Sequence, residues 1–410
     1  HLREAAMRRR DFLAATASTA LIATSASAPQ FLLRAAEATP RRGDSIVVVV
    51  QLSGGNDGLN TVIPVADEQY RRRRPTLGIP RDQALRINDQ LSFHPALRGF
   101  SKLLDDGRLA ILPGIGYPNP NRSHFESMDI WHTARREPVG RATGWLGRMI
   151  DATPSAAGAE IRAIHVGGEV QPLALSALNT PAVSIRSLER FRLDGFAGER
   201  REQLESTVAA ARDGGSLLEF VRTSSLGALA ASRQIEATSG LGSTGVTYPG
   251  TDLGKKLESV ARLIDSGLTT RIYYTQLDGF DTHSTQPAAH ASLLQQVGDA
   301  VEAFMNDLAK RGHGERVMLM AFSEFGRRVQ ENASLGTDHG AAGPLFVAGS
   351  RVKPGVHGAY PSLTDLDDGD LKFHTDFRRV YATLVGPWLG GQIEPIVGAG
   401  FEPLPILAGA

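Results

Sequence analysis

Cysteine is absent from this 410-residue chain. Its absence excludes disulfide bonds, thiolate zinc sites, a cysteine nucleophile and iron–sulfur ligation. Histidine, aspartate and glutamate are the strong metal ligands that remain, so any bound metal is a hard or borderline ion.

An excess of charge of either sign is also lacking, with 44 basic and 44 acidic side chains. A net charge of zero gives no chain-wide attraction to nucleic acid or anionic lipid, and we expect no nucleic-acid partner. Aromatic residues are few at 6%, but 41% of the residues are apolar, which is enough for a large core. The length predicts two or three domains, or one elaborated α/β domain.

The N-terminal region has the pattern of an export signal. Arg8, Arg9 and Arg10 are followed by Asp-Phe-Leu and by a weakly apolar stretch, 14–28, rich in Ala, Ser and Thr. This region resembles a twin-arginine signal that ends at the small-residue site 36–38, and a basic amphipathic anchor is the alternative. We expect 1–38 to be the signal region, the mature chain to start at about 39, and the protein to be periplasmic or extracellular. The twin-arginine export machinery would be a partner, and no later apolar stretch is long enough for a stable membrane span.

The apolar pattern of the mature chain predicts an α/β fold. Residues 45–52 (SIVVVVQL) form a continuous β-branched run, which is typical of a strand buried on both faces of a parallel sheet. Helical periodicity separates most of the candidate strands and is clearest at 253–264 and 293–308. The further candidate strands are 109–112, 161–166, 271–277, 317–322 and 345–348.

Between 151 and 251 the composition shifts to Ser, Ala, Gly and charged residues. We interpret this segment as an insertion or cap on a core formed by 43–150 and 252–410. A separate second domain is the alternative, and the sequence does not decide between the two.

Ligands of open parallel sheets bind beyond the carboxyl ends of the strands, so the residues after each strand matter most. In SGGNDGLN (53–60) the glycines permit a tight turn that presents Asp57, although an ordinary Asn-Asp-Gly turn is an alternative. Arg122 and Ser123 precede a predicted helix, where a hydroxyl and free amides suit an anionic ester. Ser123 is otherwise an N-cap that forms a capping box with Glu126.

Two further strand ends carry carboxylate and imidazole groups. Asp281 and His283 in GFDTHSTQ can point at one cation, and together they suit zinc, manganese or iron. Glu324 follows the strand VMLMAF, and Asp338 and His339 precede the next strand. Asp338 has the alternative role of orienting His339 or closing a turn.

These side chains are expected at one edge of one sheet. Unpaired buried carboxylates repel one another and are costly to desolvate, so their convergence predicts bound cations. The predicted group comprises Asp57, His124, Asp281, His283, Glu324, Asp338 and His339.

The ordered motifs resemble those of a known family. They are SGGNDGLN, NRSHFESMDIW, GFDTHSTQ, SEFGRRVQEN and GTDHGAAGPLFVAG, and they look like the motifs of exported bacterial "domain of unknown function 1501" proteins. That family is similar to the alkaline phosphatase and sulfatase superfamily, whose members place two metal ions and a nucleophilic hydroxyl at the carboxyl edge of the sheet. The resemblance implies a three-layer α/β/α fold with a mostly parallel sheet and an inserted cap.

The resemblance also implies roles for individual residues. Asp57 matches the first metal aspartate, and Ser123 stands at the position of the nucleophile. Asp281 and His283 resemble the ligands of one metal, and His339 resembles the late histidine that completes that site.

One expected ligand is replaced or moved. Glu324 stands where the aspartate of an Asp-His pair is expected, and Phe325 replaces the histidine of that pair. In an alternative alignment Asp338 and His339 form the pair, and His124 is the candidate substitute ligand.

The implied activity is metal-dependent hydrolysis of a small phosphate or sulfate ester. Ser123 and Arg122 are the catalytic candidates, and Arg327 is a candidate second clamp on the anion. Zinc is the first candidate metal, followed by manganese, calcium or iron. Ser123 lacks the downstream Pro and Arg of a formylglycine sulfatase, which argues against that chemistry. The alternative is a non-catalytic, metal-stabilised scaffold or cell-surface assembly protein with the same fold.

Overall fold

The computed structural model describes residues 45–153, 161–188 and 242–409. The predicted signal region 1–38 and residues 189–241 lie outside the described residues. Within the described ranges, no helix combines the length and the apolar character needed to cross a bilayer.

The strands of the described chain form one large sheet and two small ones. The strands are β1 Ile46–Ser53, β2 Val62–Ile63, β3 Leu85–Arg86, β4 Ser92–Phe93, β5 Leu109–Gly116, β6 Ala163–Val166, β7 Val183–Ile185, β8 Ile272–Asp278, β9 Val317–Phe322, β10 Gly343–Ala348, β11 Gly355–Val356, β12 Leu366–Asp367, β13 Asp370–Leu371 and β14 Thr375–Asp376. The large sheet has nine strands: eight lie in the order β11-β5-β10-β9-β1-β8-β6-β7, and the ninth, β14, pairs with β5.

The α-helices connect these strands and cover both faces of the sheet. Short 3₁₀ turns lie at Leu173–Leu175 and Gly314–Arg316, and a π-helical turn spans Leu384–Trp388. The α-helices are α1 Gly58–Thr61, α2 Glu68–Arg73, α3 Arg98–Asp105, α4 His124–Thr133, α5 Trp145–Ala152, α6 Asp252–Asp265, α7 Gln286–Lys310, α8 Phe377–Thr383 and α9 Ile393–Val397.

Strand β1 lies at the centre of the core because its valines are buried on both faces. It pairs in parallel with β8 on one side and β9 on the other. Val48 and Val50 pack with α3, α6 and α7, whereas Val47 and Val49 pack with α4, α5, α8 and α9. The predicted mixed α/β fold with a mostly parallel central sheet is therefore confirmed.

Strand β10 runs antiparallel between β5 and β9. Its first residues therefore lie at the edge of the sheet where β5 and β9 end. This reversal brings the residues before β10 to the same edge as the residues that follow β1, β5, β8 and β9.

The segment 151–251, interpreted as a cap from its composition, contributes two strands to the main sheet. β6 pairs in parallel with β8, and β7 pairs with β6. The physical reason is the apolar sequence of β6, in which Ala163, Ile164 and Val166 are fully buried. The described part of the segment thus includes two strands of the main sheet, and the cap stays a prediction for residues 189–241, outside the described part.

Candidate metal centre

Three loops bring imidazole and carboxylate groups together at the carboxyl edge of the sheet. His124 begins α4 after β5, Asp281 follows β8, and His339 precedes β10. One ligand atom from each of these residues lies within 4.8 Å of the others.

His283 joins this group through its Nε2 atom. That atom lies 2.9 Å from His339 Nε2 and 3.0 Å from Asp281 Oδ1. His339 Nε2 lies 3.0 Å from the same Asp281 oxygen, and His124 Nε2 lies 3.4 Å from Asp281 Oδ2. We call His124, Asp281, His283 and His339 the histidine cluster.

In each imidazole of the histidine cluster, the Nδ1 atom forms a hydrogen bond that fixes the orientation of the ring. His124 Nδ1 donates to Glu324 Oε1 at 2.8 Å, and His339 Nδ1 donates to the carbonyl oxygen of Arg122 at 2.8 Å. His283 Nδ1 donates to Asp338 Oδ1 at 3.3 Å. Glu324 and Asp338, predicted as ligands, therefore orient two of the imidazoles, an arrangement that is general among metal-binding histidines.

The histidine cluster fits a cation. With Nδ1 as the donor, each neutral imidazole presents an Nε2 lone pair, so three acceptor nitrogens face one acceptor carboxylate. His124 Nε2 is buried and has no hydrogen-bond partner. Four of the six separations within the cluster lie between 2.9 and 3.4 Å, close to the spacing of about 3.3 Å between tetrahedral ligands that follows from metal–nitrogen bonds of about 2.0–2.1 Å.

Surrounding charges adjust the protonation of the cluster. Burial raises the pKa of Asp281, but its close contacts with His339 and Arg327 outweigh burial and hold the pKa well below its ordinary value. Burial lowers the pKa of His339, which favours its neutral form. The hydrogen bond to Glu324 raises the pKa of His124. The lowered pKa of Asp281 favours its carboxylate form.

Arg327 connects three loops beneath the histidine cluster, where it is 2% exposed. Its guanidinium donates to the carbonyl oxygens of Gly54, Gly55, Phe280 and Thr337 and to Asp281 Oδ1 at 2.7 Å. All of its donors face the protein. The expectation that Arg327 clamps an anionic substrate is therefore wrong, because the guanidinium is already bonded to the loops that carry the ligands.

The paired glycines after β1 allow these loops to approach closely. Gly54 has φ +120°, and a Cβ there would lie 2.4 Å from the backbone nitrogen of Asp281. A Cβ on Gly55 would lie 2.3 Å from the ring of Phe325. That ring packs against His124 and His339, with centroid separations of 4.9 and 4.6 Å, so it forms an apolar wall beside the cluster.

Asp57 bonds to an arginine instead of joining the histidine cluster. Its oxygens accept hydrogen bonds from Arg74 at 2.6 and 3.0 Å and from Gln286 at 2.5 Å. Both Asp57 and Arg74 have fully buried side chains. Burial raises the pKa of Asp57, but the charge and hydrogen bonds of Arg74 outweigh burial and lower it to about 2.

Ser123 and Arg122 lie at the rim of the site. Ser123 is at the N-cap position of α4, but its side chain accepts no capping hydrogen bond, and Glu126 pairs with Arg141. The capping box considered from the sequence is therefore not formed. Arg122 donates to Asp368 at 3.0 Å and to Asp370 at 2.9 Å, so its guanidinium is bonded to two carboxylates.

Sequence reasoning assigned no role to Arg74 and Gln286. Arg74 ends the run 71–74 of four arginines, and nothing in that run marks one of them as buried. Gln286 lies in the quoted motif GFDTHSTQ, but a glutamine at that place does not by itself indicate a chemical role.

Together, these features define a mixed α/β protein with a mostly parallel sheet and a candidate metal centre at its carboxyl edge. The chain belongs to the protein family of unknown function DUF1501, whose model matches residues 44–375. Among curated proteins, none matches the chain.

Solved structures similar to this chain include members of the alkaline phosphatase and sulfatase superfamily. A protein in the alkaline phosphatase superfamily from Vibrio parahaemolyticus is 9% identical, with a TM-score of 0.42 over 88% of this chain and 70% of that chain. The PsFucS1 sulfatase from Pseudoalteromonas sp. is 12% identical, with a TM-score of 0.42 over 91% and 73%. The C-terminal periplasmic domain of EcEptC from Escherichia coli is 10% identical, with a TM-score of 0.38 over 90% and 91%.

Proposed function

We propose that this chain is an exported metal-dependent hydrolase of phosphate or sulfate esters. The observation that carries the proposal is the convergence of three imidazole Nε2 atoms on the carboxylate of Asp281, with each Nδ1 atom already bonded. Clustered ligands with perturbed pKa values at a sheet edge are typical of functional sites. The export component is supported by the twin-arginine-like sequence of residues 1–38.

The histidine cluster would hold one divalent ion. Three imidazoles and one carboxylate favour zinc, with manganese or iron as alternatives and calcium less suited to nitrogen ligands. Among the described residues the expected ligands of a second ion are engaged or replaced, because Asp57 is neutralised by Arg74 and Phe325 stands beside the imidazoles. Such an ion supplies Lewis-acid chemistry, in that it polarises the ester and lowers the pKa of a nearby oxygen nucleophile.

The chain's own residues supply a nucleophile and an anion-binding position. Ser123 directly precedes the ligand His124, and its exposed hydroxyl is not used to cap α4. The first amides of α4 favour a negatively charged ester oxygen at this helix end. Arg122 contributes to anion binding only if its guanidinium leaves Asp368 and Asp370.

The test is hydrolysis of aryl phosphate, phosphodiester and aryl sulfate with added zinc, manganese or calcium. We expect the wild-type protein to hydrolyse at least one ester class, and Asp281→Ala to lose both metal and hydrolysis. Ser123→Ala should keep the metal and lose hydrolysis, whereas Ser101→Ala on α3 should match the wild type. A metal-loaded wild-type protein that is silent toward all three esters contradicts the proposal.

The second candidate function is a non-catalytic, metal-stabilised scaffold. It is favoured by the bonding of Arg122 to Asp368 and Asp370, which keeps the expected anion clamp engaged within the protein. A scaffold would bind the metal and unfold at a higher temperature when loaded, while remaining silent in the same ester assays.

A further inference from the structure

Gln286 lies where the two ligand-bearing loops meet. It is the first residue of α7 and is 1% exposed. Its backbone N–H donates to the carbonyl oxygen of Leu335 at 2.8 Å. The backbone thus fixes Gln286 between the loop that follows β8 and the loop that precedes β10.

The side-chain oxygen of Gln286 bridges these loops. Gln286 Oε1 accepts hydrogen bonds from Thr282 Oγ1 at 3.1 Å and from Thr337 Oγ1 at 2.7 Å. Thr282 lies between Asp281 and His283, and Thr337 lies two residues before His339. The backbone N–H of Thr337 also donates to the carbonyl oxygen of Thr282 at 3.2 Å. One amide oxygen therefore links the chain segments that carry three of the four cluster residues.

The contact of its nitrogen with Asp57 sets the orientation of the Gln286 side-chain amide. Gln286 Nε2 donates to Asp57 Oδ2 at 2.5 Å, and Arg74 holds that carboxylate in place. Because a carboxylate only accepts hydrogen bonds, the amide nitrogen faces Asp57 and the oxygen faces the two hydroxyls. A glutamate at this position would place a second negative charge against Asp57, and a leucine would leave the buried Thr337 hydroxyl without its acceptor.

We propose that Gln286 is a positioning residue that sets the separation between Asp281 and His283 on one loop and His339 on the other. This inference rests on the proposed metal site, but it does not depend on which ester, if any, is hydrolysed. According to this inference, Asp57 and Arg74 anchor the side-chain amide of Gln286 instead of holding a second ion. Removing groups that orient metal ligands typically weakens metal affinity about 10–100-fold.

The test compares cobalt(II) affinity and the visible absorption spectrum of the bound ion in threonine variants of the full chain. Thr337→Val removes the hydroxyl at nearly constant size, and Thr337→Ser restores it. We expect Thr337→Val to bind cobalt about 10–100-fold more weakly with an altered spectrum, and Thr337→Ser to recover both. Thr275→Val is the matched control, because its buried hydroxyl donates to the Val166 carbonyl oxygen on β6, away from Gln286.

Gln286→Leu should show the same cobalt defect as Thr337→Val, and Gln286→Glu a larger one. Should the Gln286 variants fail to fold, the threonine pair still decides the question. Wild-type affinity and spectrum in Thr337→Val, or equal loss in Thr275→Val, would overturn the inference. A wild-type chain that binds no cobalt would overturn both proposals, whereas cobalt binding without ester hydrolysis would overturn the hydrolase alone.

Discussion

The carboxylate of Asp57 lies 2.6 and 3.0 Å from two nitrogens of Arg74, and neither side chain is exposed. A buried carboxylate requires a countercharge, and here a guanidinium supplies it. Asp57, which the sequence resemblance assigned as a metal ligand, is therefore neutralised by a cationic side chain of the same protein. Because Arg74 neutralises Asp57, we expect the site to hold one metal ion and not two.

Replacing Arg74 with Met should destabilise the fold strongly, because it leaves Asp57 buried without a countercharge. The expected cost is about 3–5 kcal/mol of unfolding free energy, measured by urea denaturation. The double variant Arg74→Met, Asp57→Leu should lose less than Arg74→Met alone. If both variants unfold at the urea concentration of the wild type, the pair has no structural role.

Replacing Glu324 with Gln should weaken metal binding without removing a ligand. The change deletes the negative charge that accepts the hydrogen bond from His124 Nδ1, and a loss of about 10–100-fold in affinity is expected. Competition with a chromophoric chelator measures it. The control is Glu302→Gln, at a carboxylate that pairs with Lys102 across two helices. Equal affinity in both variants would show that Glu324 does not orient the imidazole.

Replacing Gly54 with Ala should damage the metal centre and the fold together. Its φ of +120° is strained for any other residue, and the added Cβ would meet the backbone nitrogen of Asp281. Gly140→Ala is the control, since Gly140 has φ +92° and a Cβ added there would meet no atom within 4 Å. The control should cost about 1–2 kcal/mol and keep wild-type metal affinity. Wild-type metal affinity in Gly54→Ala would contradict the close approach of the two loops.

Stability of the metal-free protein should fall as the pH falls from about 6.5 to about 4. Burial lowers the pKa of His94 and His290 to about 4 and that of His132 to about 3, from an ordinary 6.5. The unfolded chain therefore binds protons at these rings before the folded chain does, so acid favours unfolding by about 1.4 kcal/mol per pH unit for each ring.

Urea denaturation in chelator at pH 7.5, 6.5, 5.5 and 4.5 measures this dependence. His132→Gln should reduce the slope, because Gln does not titrate. A flat profile for the wild type, or an unchanged slope in His132→Gln, would contradict the assignment of buried neutral imidazoles.

The sheet was predictable because its strands are marked by local pattern. The unbroken apolar run of β1 and the turn that follows it need no tertiary information, and the predicted strand at 317–322 matches β9 to the residue. The antiparallel direction of β10 and the entry of β6 into the sheet depend on pairing between distant segments. Composition in 151–251 does not encode that pairing, so it did not indicate that β6 and β7 join the main sheet.

The residue types of the candidate site could be predicted from the sequence, but the role of each carboxylate could not. Imidazoles and carboxylates after strands indicate a metal site, and His124, Asp281, His283 and His339 lie together at the sheet edge. Which carboxylate contacts a ligand and which meets an arginine depends on contacts across the fold, such as that between Asp57 and Arg74. Four consecutive arginines at 71–74 look alike in sequence, and burial distinguishes Arg74 from the others.

The most direct test is elemental analysis of the purified protein, with Asp281→Ala as the control. One equivalent of zinc or a similar divalent ion per chain is expected, and it should be lost in Asp281→Ala. Two equivalents in the wild type would contradict the neutralisation of Asp57 by Arg74, and none after reconstitution would contradict the metal centre itself.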